Sequence, residues 1–127
     1  MPSYDAAHFD PPAPVPRVTL RNPHGGAIGP DVLLLVGTGA DITWLPRTAV
    51  APLGVPLLAG QQYELMGFVG SKSFAPVVML GVLFLQRAFQ GRYLLIEAEH
   101  GIMGRDMLNH VSLLLDGPRQ QWAEHAP

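Results

Sequence analysis

Apolar and polar positions alternate with a period of two along much of the chain, the pattern of strands that keep one face on a core. Arg17-Val18-Thr19-Leu20 alternates in this way and runs into the turn cluster Asn22-Pro23-His24-Gly25-Gly26. Together they predict a hairpin that returns through Asp31 to Val36. The returning run is apolar throughout from Val32, so it is expected to be a short strand buried on both faces. It leads directly into Gly37-Thr38-Gly39. Ile42 to Leu45 reads as a further short strand, and Pro46 opens a minor helix to Ala51 that Pro52 and Gly54 end. Tyr63 to Met66, a glycine-bounded tip at Gly67-Phe68-Val69-Gly70-Ser71 and a return strand from Phe74 to about Phe84 predict a long hairpin. A strand from Arg92 to Glu97 follows. Gly101 to Gly104 is a turn-flanked apolar pair, Arg105 to His110 predicts about one and a half helical turns, and Val111 to Leu115 a closing strand before Gly117-Pro118. The pattern is that of an all-β domain with one short helix near its C-terminal end.

The flanks differ in composition. Residues 1 to 16 contain Pro2, Pro11, Pro12, Pro14 and Pro16, and each proline removes a backbone donor and biases its predecessor away from helix. This segment is expected to be an extended arm, either solvated or docked on a partner subunit. The division is an arm over 1–16, a domain over 17–116 and a tail over 117–127, in which Trp122 is expected at the surface or an interface. The 127 residues suffice for one core, burying roughly two thirds of the surface of the unfolded chain. A formal charge of −2 offers no basic field for a phosphate backbone, so nucleic acid is not an expected partner. The absence of cysteine closes thiolate metal sites, disulfides and thiol nucleophiles. Apolar runs fall short of the ~18 to 20 residues that span a bilayer, and the first residues lack the form of a signal peptide. A soluble, cytoplasmic protein with no membrane partner is expected. His8, His24, His100, His110 and His125 have no ligand spacing, so neither a metal nor another cofactor is expected.

The glycine-rich turn admits two readings. A strand entering Gly-x-Gly can cradle a pyrophosphate at a helix N-terminus, but the third glycine of that fingerprint would fall on Ile42, and Pro46 interrupts any helix. The alternative takes Leu34-Leu35-Val36-Gly37-Thr38-Gly39-Ala40-Asp41-Ile42-Thr43 together with the late stretch Gly101-Ile102-Met103-Gly104-Arg105-Asp106-Met107-Leu108. The two motifs, their order and the hairpin between them resemble the retropepsin-like aspartic proteases, the retroviral proteases and their bacterial relatives, over about residues 17 to 116. That family carries Asp-Thr/Ser-Gly-Ala after a strand, and later two apolar residues followed by Gly-Arg-Asp/Asn.

The resemblance implies a closed, barrel-like acid protease fold with a flap hairpin, working as a homodimer on extended peptide or protein substrates without a cofactor. One chain carries one such motif, so the two carboxyl groups that share a proton would come one from each subunit of a symmetric dimer. In this sequence the position of that aspartate is Gly37, which can neither hold a proton nor activate water. Thr38 matches the threonine that hydrogen-bonds across the dimer beneath the site, and Gly39 and Ala40 the loop that substrate backbone approaches. Asp41 matches a residue close to substrate that pairs with the arginine at Arg105. Met66, Gly67, Phe68, Val69 and Gly70 match the flap over bound peptide. The expected function is an aspartic endopeptidase domain, inactive as written through an engineered substitution at position 37. A natural pseudoprotease that binds peptides in the same cleft is the alternative, and a purely structural dimerisation domain is a third.

Overall fold

In the computed structural model the described residues are 1–66 and 72–125, with side chains described at 1–58 and 75–125. The strands are β1 (Arg17–Arg21), β2 (Ile28–Val36), β3 (Trp44–Pro46), β4 (Leu57–Met66), β5 (Lys72–Phe84), β6 (Arg87–Ile96), β7 (Gly101–Met103), β8 (Leu113–Asp116) and β9 (Gln121–Glu124). Two short helices, α1 (Arg47–Val50) and α2 (Arg105–Leu108), and a 3-10 turn over Ala51–Leu53 complete the elements. No helix among the described residues is long and apolar enough to cross a membrane.

Six strands close into a barrel in the order β1-β2-β7-β3-β6-β5, with β5 pairing back on β1, and β4 adds to β5 outside the ring. Closure depends on the length of β5. Its 13 residues serve three partners: β4 from Met66↔Lys72 to Leu57↔Val78, β6 from Val77↔Leu94 to Phe84↔Arg87, and β1 through Thr19↔Leu83 to Arg21↔Gly81. Neighbouring strands are mostly antiparallel, but β2 runs parallel to β7 and β3 parallel to β6. Alternate residues fill the interior: Val18, Leu20, Leu34, Leu45, Leu80 and Met103 are at most 2% exposed. α2 closes one end of this core with Met107.

The structure corrects several expectations. β2 is not buried on both faces: Val32 and Leu34 point inward, while Leu33 and Leu35 are half-exposed. Pro14 to Pro16 continues β1 in the plane of the sheet, accepting from the N–H groups of Val36 and Leu34, and so pairs with the edge of β2 rather than covering its outer face. β6 begins at Arg87, well before the Arg92 expected from the pattern. Gly101–Met103 is a strand of the barrel, between β2 and β3, rather than only a turn-flanked apolar pair.

The tail is also structured. β8 and β9 form a hairpin, with Leu115 opposite Trp122, and the first residues of the arm run along β9 through Ser3↔Gln121. Trp122 is 8% exposed and belongs to the main core, 6.2 Å from the Phe84 ring; this corrects the surface position expected for it. The arm folds back at Asp5↔Ala13. The Asp5 carboxylate accepts from the N–H groups of Ala7 and His8 and from the His8 ring, and the His8 N–H, followed by its ring, holds the carboxyl below its ordinary pKa. A groove of about 670 Å³ beneath the arm, lined by residues that include Tyr4, His8, Val15, Arg17 and Trp122, contains none of the residues 37–40.

Candidate active site

The loop that leaves β2 is built almost wholly from backbone contacts. The Gly37 N–H donates to the Met103 carbonyl at 3.0 Å, the Ala40 N–H closes a turn on the Gly37 carbonyl at 3.1 Å, and the Arg105 N–H donates to the Ala40 carbonyl at 2.8 Å. From the α2 side the Arg105 guanidinium donates through Nη1 to the Thr38 carbonyl at 2.7 Å. The loop is thereby held at both ends by one segment, β7 and the start of α2. Two glycines make the approach possible. A β-carbon on Gly101 would lie 2.0 Å from the Trp44 carbonyl oxygen, and one on Gly104 would lie 2.7 Å from the Ile42 carbonyl carbon, so neither position can carry a side chain.

Beneath the loop lies a polar link that sequence reading missed. Thr43 is fully buried; its hydroxyl donates to Asp106 Oδ1 at 2.6 Å, its N–H donates to Asp106 Oδ2 at 3.1 Å, and its Oγ1 accepts from the Gly104 N–H at 3.0 Å. Asp106 also accepts from the Met107 N–H at the start of α2. Asp106 thereby joins the loop after Ala40 to the start of α2. Its charge reaches Tyr93, whose phenol donates to the Phe89 carbonyl and is held far above its ordinary pKa by burial and then by Asp106. A second apolar cluster of Ala75, Val77 and Leu94, with Ile42, Trp44 and Leu58 against it, joins the same loop to the base of the β4–β5 hairpin.

The two motifs read from the sequence are brought together. Thr38, Gly39 and Asp41 are exposed on the loop, Gly37 and Ala40 are half-buried, and Arg105 is exposed at the start of α2. Met66 ends β4 opposite Lys72; Gly67, Phe68, Val69 and Gly70 lie outside the described residues. Among the described residues no group of three or more His, Asp or Glu side chains is placed to hold a metal. At Gly37 itself a β-carbon would lie 2.5 Å from the Cγ2 methyl of Ile102, a half-buried side chain that would have to turn aside to admit one.

No family profile matches the chain, and no curated protein matches it. Among solved structures, EIAV protease complexed with the inhibitor HBY-793 matches with a TM-score of 0.54 at 20% sequence identity, over 84% of this chain and 91% of that one. The chain therefore has a closed, mostly β fold similar to that of a retroviral protease.

Proposed function

We propose that this chain is an aspartic endopeptidase domain of the retroviral kind, assembled as a homodimer with its site on the two-fold axis, and that Gly37 leaves it without the catalytic acid. The observation that carries the reading is the loop Gly37–Ala40, which leaves a barrel strand and is pinned to β7 and α2 within a fold similar to EIAV protease. In such a site two carboxyl groups, one per subunit, share a proton: one takes a proton from water while the other donates to the scissile carbonyl, because like charges at contact cannot both ionise. The loop would present those groups at position 37. Thr38 would bond across the dimer, Asp41 would pair with Arg105 beside the substrate, and Met66 to Gly70 would cover an extended peptide bound over Gly39 and Ala40. With glycine at 37 the bond-breaking step has no acid or base, and members of such a constellation act as a unit.

One observation favours the second reading, a natural pseudoprotease that holds peptides in the same cleft by strand addition. A β-carbon at position 37 would lie 2.5 Å from Ile102 Cγ2, so the chain as it stands is packed around glycine at the position of the acid. The test is cleavage of a peptide library, followed by mass spectrometry from about pH 3.5 to 7, the range open to a shared-proton pair. It compares the chain as it stands with Gly37→Asp, alone and with Ile102→Ala. Cleavage confined to variants that carry the acid is the expected result. Silence from both folded, dimeric variants, with peptide binding by the unaltered chain, would transfer the assignment to the binding module.

A further inference from the structure

We infer that the outer face of β1, β5 and β6 is a docking surface for an extended, acidic segment of a partner protein. The three strands are neighbours in the barrel, with β5 paired to both of the others. They carry Arg17, Arg21, Lys72, Arg87 and Arg92, five of the eight Lys and Arg residues, and none of the ten Asp and Glu. The formal charge of −2 is therefore the sum of a cationic wall and a remainder rich in acids. A partner meets the local field, not the sum.

Strand alternation places the charges on one side. Val18 and Leu20 point inward from β1, which leaves Arg17 and Arg21 on the outer face; Val78 and Leu80 point inward from β5, which leaves Met79, 45% exposed, and Gly81 there. The pairing sets Gly81 between Arg21 and Gln90, and Met79 opposite Arg92. A β-carbon on Gly81 would lie 3.8 Å from both Arg21 Nε and Gln90 Cγ, so these two side chains rest against bare backbone. Among the described residues no carboxylate lies within ion-pair distance of Arg17, Arg21 or Arg92, Asp31 on the flanking β2 included. Arg87, by contrast, is taken up by the His110 carbonyl and Glu124. Arg21 and Arg92 stand two strand spacings and one two-residue step apart, about 12 Å between Cα positions. Acidic residues four apart on an extended chain are about 13 Å apart and face the same way, and guanidinium groups bind carboxylates in fork geometry. Three free arginines so widely spaced on an acidic chain release few counterions, which disfavours a nucleic acid.

The surface lies on strands that do not carry position 37, so its test is independent of peptidase activity. The probe is a fluorescein-labelled peptide of alternating Glu and Ser, with its Gln counterpart as reference, followed by fluorescence anisotropy at about 20 and 200 mM salt. Arg21→Gln/Arg92→Gln is expected to bind the Glu peptide about tenfold more weakly than the unaltered chain at low salt. Arg47→Gln/Arg119→Gln, which removes the same charge elsewhere, is expected to change binding less than twofold. Should the first double variant fail to fold, Arg17→Gln carries the same comparison, with an expected loss of about threefold. Equal losses in the two double variants, or a Glu peptide bound no better than its Gln counterpart, would overturn the inference. Tighter binding of a dT oligonucleotide with the same arginine dependence would overturn it in favour of a nucleic acid. Self-association of the unaltered chain that disappears in Arg21→Gln/Arg92→Gln would overturn it in favour of a second copy.

Discussion

Thr43 is a polar residue with no exposure, and the Asp106 carboxylate takes both its hydroxyl proton and its N–H. Removing one partner of a buried hydrogen bond leaves the other desolvated and unpaired, which costs more than the bond itself contributed. Asp106→Ala is expected to lower unfolding free energy by about 2 kcal/mol, with Asp106→Asn intermediate because its carbonyl can still accept from Thr43. Urea denaturation measures both, and an Asp106→Ala chain as stable as the native one would contradict the assignment. The same two residues mark what was legible at this scale. The pair of motifs around Gly37 and Arg105 could be read because each is a local string of residue types. The Thr43–Asp106 link and the Ile102 contact join residues from separate strings through the register of β2, β3 and β7, and no local pattern encodes that register.

Strands whose ends carry turn residues were legible as elements; those without them were not. The β5–β6 turn consists of Leu85 and Gln86, both in the left-handed region at φ 52° and 62°, where hairpins favour Asn-Gly or Gly. No turn signal stands in the sequence there, so the first half of β6 went unread. Gln86 is exposed, and the left-handed conformation costs an L-residue about 1–2 kcal/mol, partly offset for glycine by its greater freedom in the unfolded chain. Gln86→Gly is accordingly expected to raise stability by about 0.5–1 kcal/mol; a lower midpoint in urea would show that the turn is not strained. The tail strand β9 was missed for another reason. Four residues with one large apolar side chain carry too little pattern to announce a strand, although Trp122 reaches the main core.

For the molecule as a whole, alternation established a β class, whereas closure of the barrel followed from family resemblance and is realised through the three-sided pairing of β5. In the proposed function, activity is likewise a property of more than one chain. Each copy offers a single loop at position 37, so a working pair of acids requires two copies, each bearing one. The most direct test of that claim mixes the unaltered chain into Gly37→Asp/Ile102→Ala at a fixed concentration of the latter and follows peptide cleavage after exchange. If the site is shared and depends on both acids, unaltered chains capture acid-bearing partners in silent heterodimers. Activity is then expected to fall to roughly half at equal amounts of the two chains under conditions where nearly all chains are paired. Activity that stays constant as unaltered chain is added, with heterodimers demonstrably formed, would contradict a site built from two copies of position 37.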